Sequence, residues 1–465
     1  AFTNFPWAPT GTVPPDPNPP APGPDDWFML MAGPDSHSPE SIIDMSYLLD
    51  DTAGDHGHLT QVADEFQFAD GTPVKFWGIC AGQTATEEGM QAQARFYAKH
   101  GINMVRQHPV QGVVGQLQGS PGNYYLDPNN LDRFDRWFSI LKDNGIYMTW
   151  SIFYHHKIQS SWNIVPTAMY NELSEGDTYG FASFVEEYQD SQWEYANLLL
   201  NHVNPYTGLR YADDPALAIV EARNEDSVFF HNPLSSTLIS GTETPEHTFR
   251  LRQMWHQWVS DNYANDAELA AAWGAGMQAN DSVNADPVTQ PMKMYAAYEM
   301  FADGLDAQTA RLGDFIQFLA EMQRDTYQTY HDRLRGIGYD GVVVSTAWKA
   351  GGPAADAANL WTDDAVDAID RHNYFGGGAV GHGIAEGEVN NDTHLDQAGR
   401  GILSSGLWQV EDKPFIMTEW TQKPPNQWKA EISPLFAFYG MGLQGWDASY
   451  QFAGSRPYMG NGWPT

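Results

Sequence analysis

The chain has 465 residues, of which 42% are hydrophobic and 13% aromatic, a composition typical of a globular protein and unlike that of a disordered one. Its 59 acidic and 24 basic residues give a formal net charge of −35, which argues against nucleic acid and anionic lipid surfaces as partners. No apolar run approaches the ~18 residues of a membrane span, so no membrane span is expected. The chain begins without Met, as it would after removal of a secretion signal or where a longer chain has been cut, and we expect a secreted, periplasmic or cell-surface protein.

The first 60 residues read as an N-terminal extension. Its segment 8–25 is rich in proline, which favours an extended strap on the surface over a packed core. The one cysteine, Cys80, follows the apolar run 76–79 and is expected to be a buried structural thiol.

From residue 61 to 465, short β-rich runs alternate with longer amphipathic runs. Such alternation predicts parallel strands joined by helices, and eight strands fit an α/β fold of the closed (β/α)₈ TIM-barrel type. Asp70-Gly71 predicts a hairpin turn that leads into the first strand. The strand candidates are 74–80, 102–107, 146–153, 217–223, 341–347, 367–374, 414–419 and 442–447. The helix candidates include 86–100, 130–144, 180–202 and 292–336.

The connection between the fourth and fifth predicted strands exceeds 100 residues, far more than an ordinary loop. Its helical patterns predict an insertion at about 227–290 on the functional face of the barrel. Few residues follow the eighth predicted strand, which favours a chain truncated from a longer protein.

Two of the predicted strands end in glutamate. The fourth ends in Asn224-Glu225, and the seventh leads into Glu419. Active groups of such barrels lie at the carboxyl ends of the strands, and retaining glycosidases need two carboxyl groups about 5–5.5 Å apart. We therefore predict Glu225 as acid/base and Glu419 as nucleophile. The alternative is that each is only a solvated residue at a strand end.

Several short motifs, in this order along residues 60–450, resemble those of the clan of (β/α)₈-barrel glycoside hydrolases with catalytic glutamates on strands four and seven. The likeness is broadest to family 5 and its neighbours. The motifs are Trp77-Gly78, Asn103-Met104-Val105-Arg106, Asn224-Glu225, His372-Asn373-Tyr374, Thr418-Glu419-Trp420 and Trp446.

The resemblance implies roles for individual residues. Arg106 and Tyr374 would hold the nucleophile, Asn224 would bind the sugar 2-hydroxyl, and Trp446 would stack on a sugar ring. His372 and Trp420 would also contact substrate. The chain departs from the family where Asp226 replaces the proline that often follows Asn-Glu. Leu269-Ala270-Ala271-Ala272-Trp273-Gly274 is instead similar to a segment of the β-galactosidase and agarase families of the same clan.

His108 and His155 follow the second and third predicted strands and are expected to contact sugar hydroxyls. No metal and no cofactor are expected, because a metal-dependent hydrolase on this fold would need a His-x-His on the first strand, and 81–83 offers none. The acidic segment 390–396 could offer oxygen ligands, but it lacks the Gly and terminal Glu of a calcium loop.

Several basic residues follow predicted strand ends in an otherwise acidic chain: Lys157, Lys349, Arg371 and Lys423. Positive groups at the mouth predict a site for anionic substituents such as sulfate esters. The expected partner is therefore a polysaccharide or oligosaccharide, in particular a sulfated algal galactan of the carrageenan or agar type. The alternatives are ordinary loop lysines with a neutral β-glucan or β-mannan as substrate, or an inactive barrel that only binds carbohydrate.

Overall fold

The computed structural model describes residues 44–229, 236–301, 309–376, 391–422 and 426–452. The predicted proline-rich strap at 8–25 lies outside these ranges. The strands of the described ranges are β1 (Leu59–Val62), β2 (Glu65–Phe68), β3 (Phe76–Cys80), β4 (Met104–Gln107), β5 (Gln118–Ser120), β6 (Asn123–Tyr125), β7 (Tyr147–Ser151), β8 (Leu217–Glu221), β9 (Val342–Val344), β10 (Ile369–Phe375), β11 (Phe415–Gln422) and β12 (Ala448–Phe452).

The α-helices follow the barrel strands or lie between them. They are α1 (Glu87–Lys99), α2 (Gln111–Val114), α3 (Pro128–Lys142), α4 (Thr167–Tyr170), α5 (Glu186–Leu200), α6 (Ser236–Ser240), α7 (Pro245–Asn262), α8 (Asp266–Trp273), α9 (Ala297–Phe301), α10 (Thr309–Gly336), α11 (Pro353–Asp363) and α12 (Ile432–Leu435). Among the helices of these ranges, none is both long and hydrophobic enough to cross a bilayer.

Eight of the strands form one parallel sheet in the order β10-β11-β12-β3-β4-β7-β8-β9. A parallel bridge between Val344 and Ala368 joins the two ends of this order and closes the barrel. Strands β7 and β8 are buried along their whole length, as expected for parallel strands covered by helices outside and by side chains inside. The predicted (β/α)₈ barrel is confirmed.

The amino-terminal end of the barrel is closed by aromatic packing beneath the β1–β2 hairpin. Phe68 stacks on Tyr147 at 5.1 Å, and Phe76 packs edge-on against Tyr147 at 5.7 Å. The regular hairpin ladder pairs residues 59–62 with residues 65–68, so its turn comes before the turn that the sequence predicted at 70–71. The predicted turn at Asp70-Gly71 is present, and it is followed only by an isolated bridge between Gln67 and Pro73.

The eighth barrel strand was predicted in the wrong place. The strand is β12, whereas much of the predicted range 442–447 belongs to a helical segment, Phe436–Leu443, and the turn after it. An apolar run of this length fits a buried helix and a buried strand equally well, so periodicity could not separate them. Gly445, with a φ of 77°, makes the turn that ends the helical segment.

Helices α6 to α10 lie between β8 and β9, and of these α6, α7 and α8 fall within the predicted insertion at about 227–290. Within them, three indole rings stack in a row. Trp255 lies 6.0 Å from Trp273 with an interplanar angle of 12°, and 5.5 Å from Trp258 with an angle of 20°. This stack fixes α7 against α8, and Trp258 is its outer ring.

Candidate active site

Glu225 and Glu419 meet at the carboxyl end of the barrel, with His372 between them. An oxygen of each glutamate and a ring nitrogen of His372 all lie within 4.8 Å of one another. Glu225 lies four residues beyond the end of β8, and Glu419 lies on β11. The register of β10 shifts between Arg371 and His372, a bulge that changes the direction of the side chains beyond it. The two glutamates predicted as catalytic therefore share one site.

The backbone of Glu225 adopts a left-handed conformation, with a φ of 46°. Two hydrogen bonds hold it there: its N–H donates to the Thr346 carbonyl at 2.8 Å, and its carbonyl accepts from the Tyr179 hydroxyl at 2.7 Å. A residue other than glycine in this region costs about 1–3 kcal/mol and persists where the surroundings impose it, often at functional sites. From this backbone, the Glu225 carboxyl group lies beside His372 and Glu419.

Glu419 is held in the ionised form. Burial opposes ionisation, but the charges of His372 and Arg106 and a hydrogen bond from Tyr374 lower the pKa of Glu419 to about 2. Arg106 Nη1 donates to Glu419 Oε1 at 2.6 Å, and the Tyr374 hydroxyl donates to Glu419 Oε2. A carboxylate so fixed at neutral pH can act as a nucleophile.

Arg106 is completely buried and serves three acceptors at once. Besides Glu419, its Nη2 donates to Glu221 Oε2 at 2.6 Å and to Asn224 Oδ1 at 2.7 Å. Its Nε also donates to Glu221 Oε2 at 3.1 Å. Because the planar guanidinium group has donors in a fixed fork, one side chain can position the nucleophile, Asn224 and Glu221 together.

His372 ends a chain of hydrogen bonds that starts at the buried Asp370. The Thr418 hydroxyl donates its one proton to Asp370 Oδ2 at 2.6 Å, so its oxygen accepts from His372 Nε2 at 3.0 Å. The other ring nitrogen, Nδ1, faces Glu225 Oε1 at 2.7 Å and Glu419 Oε2 at 3.4 Å. With acceptors on both sides, the ring is placed to carry two protons and a positive charge.

The pKa of His372 agrees with this assignment. Burial lowers it, but the charge of Glu419 and the hydrogen bond to Glu225 raise it to about 9. The cation therefore lies between the two carboxyl groups and can offset a negative charge on either one.

The raised pKa of His372 predicts a pH-dependent stability. A group with a raised folded-state pKa stabilises the fold fully below its unfolded value of 6.5, and this stabilisation is lost as the pH rises through about 9. The unfolding free energy of the native protein should exceed that of His372→Gln most at about pH 6, and the difference should shrink by about 3 kcal/mol by about pH 10. Urea denaturation of both proteins across this range measures the effect, and a constant difference would contradict it.

The Glu225, His372 and Glu419 cluster is compact enough to hold a metal ion as well. A metal ion there would have to displace the proton of His372 Nδ1, which faces Glu225 Oε1 at 2.7 Å and Glu419 Oε2 at 3.4 Å. The contacts present are those of two carboxyl groups bridged by one N–H of His372. In segment 391–396, where the sequence could offer oxygen ligands to calcium, Asp392 and Asp396 both pair with Arg400. The carboxylates of that segment are therefore engaged by an arginine.

Asn224, His108 and His155 all lie close to this cluster. His108 Nδ1 contacts the Ser151 hydroxyl at 2.9 Å, and burial together with the charge of Arg106 lowers the pKa of His108 to about 3. His155, whose side chain is 47% exposed, pairs with Asp177 at 2.6 Å. His108 is thus a neutral group inside the site, and His155 lies at its edge.

Trp420 and Trp446 cannot stack on a sugar as the sequence predicted, because they are 1% and 0% exposed. Trp420 follows Glu419 on β11 and therefore points to the opposite face, where it stacks on Phe436 at 4.2 Å. Trp446 precedes β12, at the amino-terminal end of the barrel, and packs against Phe415 at 5.2 Å. Both are core residues.

Trp446→Ala is accordingly expected to affect stability and not substrate binding. Loss of a fully buried Trp costs about 3–5 kcal/mol. Trp446 also packs directly against Gly440, because a Cβ atom added at Gly440 would lie 2.4 Å from the indole ring. The cavity left by Trp446→Ala would therefore be lined by closely packed atoms. Thermal or urea unfolding should show the loss, whereas KM of the folded variant should equal that of the native protein. An increase in KM without a loss of stability would restore the sugar-stacking role.

The basic residues predicted at the mouth do not form one group. Arg371 is completely buried and pairs with Asp363 at 2.8 Å, which overturns its expected place at the mouth. Lys157 pairs with Glu175 at 2.7 Å, and the Lys349 ammonium lies 4.7 Å from the centre of the Trp408 ring. Lys423 lies outside the described residues.

Two residues of the site, Glu221 and Asp370, were not predicted, and neither was the role of Thr418. Glu221 is the last residue of β8, and Asp370 precedes His372 by two positions on β10. A glutamate inside the otherwise apolar run 217–222 was the available signal for Glu221, whereas no local pattern indicated Asp370.

No protein-family model matches the chain, and no curated protein matches it. Among solved structures, it is similar to the endo-1,4-beta-mannanase from Rhizomucor miehei, with 13% identity over 85% of this chain and 90% of that chain and a TM-score of 0.49. The beta-glucanase SdGluc5_26A from Saccharophagus degradans shares 13% identity over 92% of this chain and 93% of that chain, with a TM-score of 0.43. An exo-beta-agarase shares 11% identity over 86% of this chain and 60% of that chain, with a TM-score of 0.42. At such identities and TM-scores, the function has to be inferred from the residues of the site.

Proposed function

We propose that the protein is a retaining glycoside hydrolase that cleaves β-glycosidic bonds of a polysaccharide, with Glu419 as nucleophile and Glu225 as acid/base. The observation that supports this proposal is the pair of carboxyl groups whose nearest oxygens lie within 4.8 Å at the barrel mouth. Inverting enzymes separate their carboxyl groups by about 6.5–9.5 Å to admit water, whereas retaining enzymes use about 5–5.5 Å. The Glu225 side chain is 19% exposed and that of Glu419 5%, which suits Glu225 for exchanging protons with substrate and water.

In the first step, Glu419 attacks the anomeric carbon, and Glu225 transfers a proton to the departing glycosidic oxygen. The products are a glycosyl ester on Glu419 and a carboxylate on Glu225. The negative charge has thereby moved from one glutamate to the other. His372 Nδ1 contacts both, at 2.7 and 3.4 Å, so the same N–H can stabilise the charge before and after the step.

In the second step, Glu225 removes a proton from water, the water oxygen attacks the anomeric carbon, and the ester bond to Glu419 breaks. Arg106 and Tyr374 then stabilise the carboxylate that leaves, through the bonds they make in the free enzyme. Two displacements at one carbon restore its original configuration.

The anomeric configuration of the first product tests the mechanism. Proton NMR during hydrolysis of a β-linked polymer should show the β-anomer of the new reducing end before mutarotation. Addition of EDTA should leave the rate unchanged, because both reacting groups are protein carboxyls. Initial formation of the α-anomer would contradict the retaining mechanism, and loss of activity in EDTA would favour a metal centre at the same cluster.

For the substrate, we propose a polymer from a set that includes β-mannan, β-glucan and agar or carrageenan galactans. Preference for a sulfated galactan would depend on Lys157 and Lys349, because Arg371 is buried elsewhere. A reducing-sugar assay over carrageenans, agarose, porphyran, β-mannan and β-glucan separates these substrates. Since such polymers occur outside cells, we also propose that the protein acts outside the cytoplasm.

A further inference from the structure

A groove of about 640 Å³ lies on the outer surface of the barrel, between α5, α7 and α10. Its volume falls within the roughly 300–1,000 Å³ of sites that bind small molecules. Its lining includes neither Glu225 nor Glu419, so it is separate from the site at the barrel mouth. One of its walls is α7, which lies in the long connection between β8 and β9.

Trp258 on α7 gives this groove a rigid aromatic surface. The half-buried ring stacks on Trp255, and its Nε1–H donates to Glu321 Oε2 at 2.6 Å. Met254 and Met322 extend the apolar part of the lining. A flat ring held on one side by stacking and at its edge by a hydrogen bond offers a preorganised surface for the C–H face of a sugar ring.

The polar lining favours a neutral ligand rich in hydroxyl groups. The two arginines of the groove are already paired, Arg250 with Glu187 at 2.9 Å and Arg333 with Asp190 at 2.7 Å. The remaining polar groups are carboxylates, amides and hydroxyls, among them Asp325. Carboxylate oxygens accept hydrogen bonds from hydroxyl groups, and the net charge of −35 disfavours anionic ligands.

We propose that this groove is a second carbohydrate-binding site, which holds a neutral oligosaccharide segment of a polymer while another segment is cleaved at the barrel mouth. The identity of the ligand as carbohydrate rests on the proposed function, whereas the presence of the groove is observed independently of that function. Attachment at two places increases the local concentration of polymer at the barrel, so the helices between β8 and β9 contribute to polymer capture.

Affinity gel electrophoresis of the full chain tests this site without requiring catalysis. The parent protein carries Glu419→Ala, so that the polymer in the gel is not degraded. Gels contain glucomannan, mixed-linkage β-glucan or agarose. Thr329 is exposed and lines the groove, so Thr329→Arg should block it without disturbing the core. We expect at least one polymer to retard the parent, and Thr329→Arg to lower the association constant at least fivefold.

Trp258→Ala should reduce retardation in the same gels, and Trp361→Ala is the matched control. Trp361 is 46% exposed on α11 and does not line the groove, so its loss should leave migration unchanged. Equal association constants for the parent and Thr329→Arg would overturn the proposal, as would migration of the parent unaffected by all three polymers. A change of oligomeric state in Thr329→Arg without a change in retardation would overturn it in favour of contact between copies of the chain. Retardation that depends on the groove, together with a native protein that hydrolyses none of the polymers, would overturn the proposed function alone.

Discussion

Glu419→Ala should lower kcat by about 10⁴-fold or more, the scale on which removal of one member of a coupled catalytic group acts. The carboxylate that attacks the anomeric carbon is lost, and Arg106 and His372 keep their positive charges without the anion between them. Initial rates on the polymer chosen by the substrate panel measure the effect, with circular dichroism to show that the variant is folded.

Two comparisons make this result specific to a nucleophile. Glu411→Ala removes an exposed glutamate that precedes β11 and should retain full activity. Azide should partly restore turnover of Glu419→Ala, because a small anion can enter the space left by the carboxylate and attack the same carbon. The product would be a glycosyl azide of inverted configuration. Near-normal activity of Glu419→Ala would exclude Glu419 as the nucleophile.

Arg106→Leu is expected to affect both stability and activity strongly. The change leaves Glu221, which is fully buried, and Glu419 without their cation, and breaking a buried pair in this way costs about 3–5 kcal/mol. The pKa of Glu419 should rise from about 2, because one of the charges that lower it is gone. Urea unfolding and kcat/KM of the folded protein measure the two effects.

Arg311→Leu is the matched control for this variant. Arg311 is also fully buried and pairs with Asp281 at 2.7 Å, and its hydrogen bonds go to Asp281 and the Lys293 carbonyl, not to Glu225, His372 or Glu419. The Arg311→Leu variant should lose as much unfolding free energy as Arg106→Leu and keep its activity while folded. Arg106→Lys should retain the charge but not the geometry, since an ammonium group cannot reproduce the planar fork that serves three acceptors. If Arg106→Leu keeps full activity, the arginine does not position the nucleophile.

The sequence allowed the barrel to be predicted because short β-rich runs, most of them largely apolar, alternate with longer amphipathic runs. The prediction of the last barrel strand failed because the apolar segment 435–443 has no period that separates a helix from a strand. Its true strand, β12, begins at Ala448, and this shift moved Trp446 from the expected mouth to the opposite end.

Within the site, Glu225 and Glu419 lie together as the sequence predicted, whereas the two indole rings and Arg371 are buried away from the mouth. Glu419 and Trp420 are adjacent on one strand and cannot both face the mouth, so alternation alone would have corrected the prediction for Trp420. The chain from Asp370 through Thr418 to His372 could not be predicted, because it depends on the register between β10 and β11. That register contains a shift at Arg371/His372 which no local pattern indicates.

The left-handed backbone of Glu225 bears on how this protein could be engineered. Glycine would adopt a φ of 46° without the steric cost that a glutamate bears. A screen that selects variants only for resistance to heat would therefore tend to enrich Gly or Asn at position 225. Such variants would keep the barrel and lose the proposed proton donor, so stability and turnover are in direct conflict at this one residue.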